Sequence, residues 1–455
     1  MKRIFFAFLL LFLNGMVFAQ KDALTRAFQK FENDSQLKAA ISSLYVINAK
    51  TGAVIFEKNV GIGLAPASTQ KLITAASAYE MLGREFQYKT EFGIVLEGPE
   101  ANLYIKPSGD PTLGSWRWKE TKEEQVLWRI LKEYKKELKS FSKLFIINDG
   151  WNFEAIPDGW GWQDIGNYYG AGAFALNWRE NQFDVILRSG KNLGEPVDII
   201  NTEPKLYFYT LSSRVISAKD TSDNTDIYFP LNGYNGRMRG TIPANRNRFV
   251  VSGAFPDPQS QFVYTIFDSL QILKKDSPYI LFSTLADLKG TSKIIHTETS
   301  PPLDSIIYCL NKKSVNLYAE ALLKSIALNQ ANMAFTKKGT QIIKRFWKTK
   351  GIDTAELNMH DGSGLSPSNR ITTRAEVKIL QYAKKQSWFQ GFYHSLPEYN
   401  GMKMKSGTIR DVKGFAGYHT SKKGIEYVFS FLVNNYNGSA TTLVKKMYTV
   451  LDELK

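Results

Sequence analysis

The feature that most restricts the fold is a change of texture inside the chain. Residues 43–82 and 303–454 carry helical periodicities and compact strand patterns, whereas 86–290 consists of short β-type runs broken by Gly, Pro, Asn and Asp. The middle therefore reads as one or two inserted domains. At its front, Leu44-Tyr45-Val46-Ile47 and Ala53-Val54-Ile55-Phe56 flank the turn-forming Asn48 to Gly52, which predicts a hairpin. After Pro66, residues Leu72, Ile73, Ala76, Tyr79 and Leu82 recur at helical spacing, predicting a helix over 68–82 that stops at Gly83. Inside the middle, one helix is expected over 123–138, opened by a capping box, Thr121-x-x-Glu124, and 220–226 reads as a polar turn. Helices are expected again over 314–328, 339–349, 373–385 and 441–454, with strands over 402–409, 414–419 and 426–434.

The N-terminus sets the compartment. Lys2 and Arg3 precede an apolar run from Ile4 to Leu13, and Val17-Phe18-Ala19 offers small residues where a signal peptidase reads, so export with cleavage after Ala19 is expected. The apolar run is too short to span a bilayer comfortably. Lys+Arg 58 against Asp+Glu 43 gives +15, a charge that favours anionic envelope polymers and leaves peripheral membrane contact possible. Export and the lack of a reader motif disfavour nucleic acid. The single cysteine, Cys309, excludes an internal disulfide, and four scattered histidines without HExxH give no metal site, so no cofactor is expected.

Three short motifs carry chemistry. Ser68-Thr69-Gln70-Lys71 is an SxxK tetrad at the first turn of a predicted helix, which puts a hydroxyl and an amine one turn apart. Serine needs an adjacent base to become a nucleophile, and a desolvated lysine near other cations serves. The tetrad alone is weak evidence, because Ser35 with Lys38 and Ser140 with Lys143 match it too. Ser314-Val315-Asn316 opens a predicted helix, where a hydroxyl and an amide two residues apart either face a cleft or simply cap the helix. Lys405-Ser406-Gly407-Thr408 lies in a strand pattern; lysine beside hydroxyls makes a carboxylate receptor, and glycine admits a close backbone. The ordinary alternative is an exposed strand with a glycine bulge. Two decoys, Ser222-Asp223-Asn224 and Lys50-Thr51-Gly52, sit in turns and are rejected.

In this order and on these elements, SxxK, SxN and K[ST]G resemble the signature of the penicillin-binding proteins and serine β-lactamases. With the long gap from Lys71 to Ser314, Asp361-Gly362-Ser363-Gly364-Leu365-Ser366, Pro107 to Pro111 and Gly161-Trp162-Gln163-Asp164, the chain is similar to the D-alanyl-D-alanine carboxypeptidase/endopeptidase family, the low-molecular-mass class C penicillin-binding proteins. The resemblance implies a mixed α/β (α+β) fold. A transpeptidase-like domain with an antiparallel sheet flanked by helices would comprise 20–85 and 291–455, and two mostly β domains would be inserted over 86–290. It implies a serine D,D-carboxypeptidase and D,D-endopeptidase that acts on peptidoglycan stem peptides and binds β-lactams covalently. Ser68 would be the nucleophile, Lys71 its base and Ser314 a proton relay, with Asn316 lining the cleft. Lys405, Ser406 and Thr408 would hold the terminal carboxylate beside Gly407, and the backbone N–H groups of Ser68 and Thr408 would form the oxyanion hole.

Asp164 and Tyr169 resemble residues that meet the amino end of a diamino-acid side chain in family members. The chain departs from many relatives by carrying Pro367 where they have arginine, with Arg370 only later, and Arg410 where a neutral amide is usual; the third stem residue is therefore left open. The turn 361–366 is given no role. Trp151, Trp160 and Trp162 are read as packed core rather than a stacking surface. A β-lactamase on the same scaffold would need a deacylating glutamate that the sequence does not identify. A sensor would need a transmitter segment that is equally unseen.

Overall fold

The computed structural model describes residues 22–98, 100–137, 141–151, 154–230, 233–271 and 278–455. The export signal expected over 1–19, Leu138 and Ser140 of the second SxxK match lie outside them. The described residues fall into two compact units. One runs to Arg84 and resumes over Asp304–Val315 and Thr340–Lys455; the other comprises Glu85–Leu303 and Asn316–Gly339. No described helix is long and apolar enough to cross a membrane.

The first unit is built on six antiparallel strands in the spatial order Glu398–Tyr399, Met402–Ile409, Val412–Thr420, Glu426–Asn434, Ile41–Asn48 and Val54–Lys58. Ile41 lies opposite Asn434 and Asn48 opposite Tyr427, so strands from the two ends of the chain sit side by side at the centre of the sheet. An antiparallel sheet commonly leaves one face wet. Here Glu426–Asn434 is buried at every position except its two ends, because helices cover both sides. Phe429, Phe431 and Val433 share a core with Leu24 and Phe28 of the 22–32 helix and with Leu443 and Met447 of the Ala440–Leu451 helix. Phe28 stands with ring centroids 5.1 Å from Phe56 and 5.7 Å from Phe431; truncating such a ring costs about 3–5 kcal/mol. On the other face Ser430 meets Glu376 of the Thr373–Ala383 helix.

Among the described residues the second unit holds two large hydrophobic cores and a smaller cluster of Val95, Tyr104, Phe145 and Ile147. In one, a five-stranded sheet ordered Tyr279–Ser283, Lys143–Ile147, Glu100–Lys106, Lys89–Glu97 and Thr291–Thr299 packs against the helices Glu123–Glu137 and Pro258–Ser269 around Phe92, Ile105, Ile146, Trp178 and Phe262. In the other, two three-stranded sheets enclose Phe183, Val185, Val215, Ile227, Met238 and Phe255.

Several local expectations change. The 68–82 segment divides into a 3-10 turn, Ala67–Gln70, and an α-helix, Lys71–Leu82. The capping box does not form: Thr121 Oγ1 donates to the carbonyls of Ser115 (2.8 Å) and Trp118 instead of accepting from a helix N–H. The polar turn at 220–226 is shorter than expected, because Asn224–Tyr228 pairs as a strand against Arg237–Thr241. Ser314 does not open a helix. Its φ of +59° is left-handed and cannot continue one, so it lies in the link between Leu303–Lys313 and Asn316–Ala331.

Candidate active site

The site in the first unit starts from the geometry of one turn. Three residues per turn bring i and i+3 side chains into register in a 3-10 helix. Ser68 and Lys71 are related in this way, and Lys71 Nζ donates to Ser68 Oγ at 2.9 Å. Lys71 is fully buried and also donates to the Ser363 carbonyl at 2.8 Å. A buried amine is costly unless its hydrogens are matched by acceptors, so the position of the Ser363 carbonyl matters.

That carbonyl belongs to the turn 361–366, to which the sequence assigned no role. Asp361 is wholly buried and ties the turn together. Its Oδ1 accepts from Gln70 Nε2 (2.9 Å), Gly364 N (2.8 Å) and Asn369 Nδ2 (2.9 Å), and its Oδ2 accepts from Ser366 N (2.6 Å). Gly364 has φ +82°, and a Cβ there would lie 1.9 Å from the Ala67 carbonyl oxygen, so only glycine lets this turn rest on the one bearing Ser68. Thr74 Oγ1 adds a bond to the Gly362 carbonyl at 2.6 Å.

The third motif meets the same turn. A Cβ on Gly407 would come 2.5 Å from the Pro66 carbonyl oxygen and 3.0 Å from Ser68 N, so the Met402–Ile409 strand lies directly against the nitrogen of Ser68. Lys405, almost fully buried, donates to Ser314 Oγ at 2.9 Å and to the Ser406 carbonyl at 3.0 Å. Burial, then the neighbouring charges of Lys71 and Lys413, hold the Lys405 amine well below the ordinary lysine range. Lys413, lowered by its own burial, donates to Thr408 Oγ1 at 2.7 Å. Three lysines converge here, so a bound anion would relieve their mutual repulsion. Ser406 is half-buried, Thr408 is exposed, and Arg410 is exposed in the turn that follows. Ser314 is held left-handed, a strain that tends to persist where the surroundings over-determine it.

Asn316 falls in the second unit, at the start of Asn316–Ala331. Its Nδ2 donates to the Tyr169 carbonyl at 2.7 Å. Tyr169 OH donates in a long 3.4 Å bond to Asp164 Oδ1, and burial and the Asp164 carboxylate push the phenol well up. Asp164 and Tyr169 are thus together, on the short helix Trp162–Ile165 and the 3-10 turn Tyr168–Gly170.

A buried knot that the sequence did not flag braces the same helix as Asn316. Glu180 accepts from Tyr318 OH (2.6 Å), Ser115 Oγ (2.6 Å) and the Arg117 guanidinium (2.7 and 2.9 Å). Its only sequence signal is a lone glutamate between arginine and asparagine, which is indistinguishable from a surface residue. The tryptophans divide: Trp160 is buried, but Trp162 is 61% exposed and sits edge-on to Tyr228 at 5.1 Å. Trp162 is therefore not the core residue expected; its four-residue helix buries none of its side chains.

Comparison with known proteins adds the family. The model of the D-Ala-D-Ala carboxypeptidase 3 (S13) family matches residues 24–398. The D-alanyl-D-alanine carboxypeptidase of Actinomadura sp. (strain R39) is 26% identical over 92% of this chain and 82% of its own. The fold is similar to that of penicillin binding protein 4 from Haemophilus influenzae, at 21% identity and TM-score 0.76 over 91% of this chain and 96% of that one. A second structure of that protein, complexed with a β-lactam, gives 20% identity and TM-score 0.72 over 94% and 98%. A paired Ser68 and Lys71, a buried lysine beside Ser314 and a family match across most of the sequence agree, and the chain belongs to the D-Ala-D-Ala carboxypeptidase S13 family.

Proposed function

We propose that Ser68 performs the serine-type D-Ala-D-Ala carboxypeptidase reaction of this family, and that the same residues cut D-alanyl cross-links of peptidoglycan as an endopeptidase. The observation that carries this reading is the 2.9 Å contact between Lys71 Nζ and Ser68 Oγ, with Lys405 and Ser314 paired at 2.9 Å in the same unit. From Met404 onward the Met402–Ile409 strand has no strand on its outer side among the described residues, because Glu398–Tyr399 reaches only Met402 and Lys403. An extended stem peptide can add there as a strand.

The peptide's terminal carboxylate is taken by Lys405, with Ser406 and Thr408. Its negative charge favours the charged form of Lys405, whose field in turn favours neutral Lys71. Neutral Lys71 accepts the Ser68 proton as Oγ attacks the carbonyl carbon of the penultimate D-alanine. The resulting oxyanion is stabilised by the N–H groups of Ser68 and Thr408, a contribution of about 3 kcal/mol per donor in comparable sites. The proton taken up by Lys71 passes by way of Ser314 to the leaving amine, D-alanine departs, and water hydrolyses the acyl-serine. In endopeptidase action only the leaving amine changes.

A β-lactam acylates Ser68 by the same attack. Asn316 is assigned the substrate amide, and Asp164 with Tyr169 the ammonium end of the stem side chain; Arg410 is a further candidate for substrate contact. The basic composition suits anionic envelope polymers, and the export signal expected from the sequence supports work in the cell envelope. Incubation with a pentapeptide ending in D-Ala-D-Ala should release D-alanine, and a penicillin should add one mass equivalent to the chain. A Ser68→Ala protein that still did either would end the proposal.

A further inference from the structure

Glu376, on Thr373–Ala383, is fully buried beneath the turn that carries Ser68 and takes no part in the mechanism above. Its Oε2 accepts from Ser430 Oγ at 2.6 Å, and its other polar neighbour is the Thr69 side chain. Oε1 makes no hydrogen bond of ordinary geometry, and no salt bridge neutralises the group among the described residues. A buried carboxylate oxygen without a donor is costly, and burial pushes this carboxyl up to about 7.

The charged and titratable groups on the packed elements are Lys71, Tyr79 and Glu80 on Lys71–Leu82, Tyr45 on Ile41–Asn48, Lys413, Tyr418 and His419 on Val412–Thr420, and Glu426 and Tyr427 on Glu426–Asn434. Its own helix adds Arg374, Lys378 and Tyr382. Burial alone raises Glu376, the Ser430 and Thr69 hydroxyls oppose that rise, and none of these charges contributes.

Thr69 immediately follows Ser68 and is also fully buried. Its single hydroxyl hydrogen goes to the Pro66 carbonyl at 3.0 Å, the oxygen against which Gly407 packs. A protonated Glu376 can donate to Thr69 Oγ1 and leave that bond intact, whereas an ionised one can only accept and draws the Thr69 hydrogen to itself. We propose that Glu376 is a positioning residue for the nucleophile: gain and loss of its proton sets whether the Thr69 hydroxyl reinforces the 3.4 Å bond from Thr69 N to the Pro66 carbonyl, and so how firmly Ser68 is placed. This rests on the reading of Ser68 as the nucleophile.

The test is the second-order rate of acylation by a fluorescent penicillin between pH 5.5 and 9, in wild type, Glu376→Gln and Thr69→Val. Titration of Lys71 and Lys405 acts on wild type and Glu376→Gln alike and cancels in their ratio. That ratio is expected to fall about 3- to 10-fold as pH rises through 7, the size of one hydrogen bond. Thr69→Val should likewise lack the inflection. A ratio flat within about twofold, in proteins with the same near-UV circular dichroism, overturns the proposal. If Glu376→Gln does not fold, an undiminished inflection in Thr69→Val overturns it equally. Labelling of Ser68→Ala would instead sink the assignment of the nucleophile, so the two failures are distinguishable.

Discussion

Replacing Asp361 by asparagine tests whether a buried carboxylate builds the floor of the site. The amide oxygen can take the place of Oδ1 and keep the bonds from Gln70, Gly364 and Asn369, but its NH2 then faces the Ser366 N–H that Oδ2 accepts at 2.6 Å. One charge-assisted bond becomes two opposed donors, a loss of about 2–3 kcal/mol. The three remaining bonds weaken from charged to neutral, so a total near 3–4 kcal/mol is expected. Because the Gly364 and Ser366 amides are donors in this network, hydrogen exchange of a peptide covering 360–370 reads the loss directly. A 3 kcal/mol change in local opening accelerates exchange about 100-fold. With the Ser363 carbonyl no longer fixed against Lys71, penicillin acylation of Ser68 should slow by about tenfold or more, a loss of about 1.4 kcal/mol or more in the transition state. Unchanged amide protection together with a wild-type acylation rate would refute the reasoning, since it would mean that the turn holds its shape without the carboxylate.

Two further outcomes follow from the same geometry. Gly407→Ala places a methyl group 2.5 Å from the Pro66 oxygen and must push the strand off the Ser68 turn; stability should fall by about 1–3 kcal/mol and acylation should drop sharply, as a melting curve and a labelling time course would register. For Glu376, folding raises the carboxyl from 4.5 to about 7, so its favourable contribution is complete below about 4.5 and lost as pH climbs through 7, amounting to roughly 3 kcal/mol. Glu376→Gln should therefore melt close to wild type at pH 5 and above it at pH 8. A difference of the same size at both pH values would count against that carboxyl titrating in the fold.

What the sequence determined is local in origin. Apolar content between turn signals marks the helix that follows Ser68, buried at every residue from Lys71 to Tyr79, and the strand 402–409 that carries Lys405, because burial selects apolar side chains in the residues themselves. Motif order and flanking elements then separate the chemical SxxK, SxN and K[ST]G from their decoys: Lys50-Thr51-Gly52 is a turn in which Asn48 Oδ1 caps the amides of Lys50 and Thr51, and Gly52 takes φ +74°. The tertiary structure alone decided how those motifs meet. The pairing of Ile41–Asn48 with Glu426–Asn434 joins residues nearly a chain length apart, and no periodicity encodes a partner. The split of the Ser68 helix into a 3-10 turn, the left-handed Ser314 and the tight seats of Gly364 and Gly407 all depend on backbone brought in from elsewhere. Glu180 and Glu376 escaped a definite role for the same reason: a buried carboxylate is known by the donors that surround it, and theirs come from distant parts of the chain, whereas Asp361 takes one donor from distant Gln70 and the others from its own turn and Asn369 just beyond it.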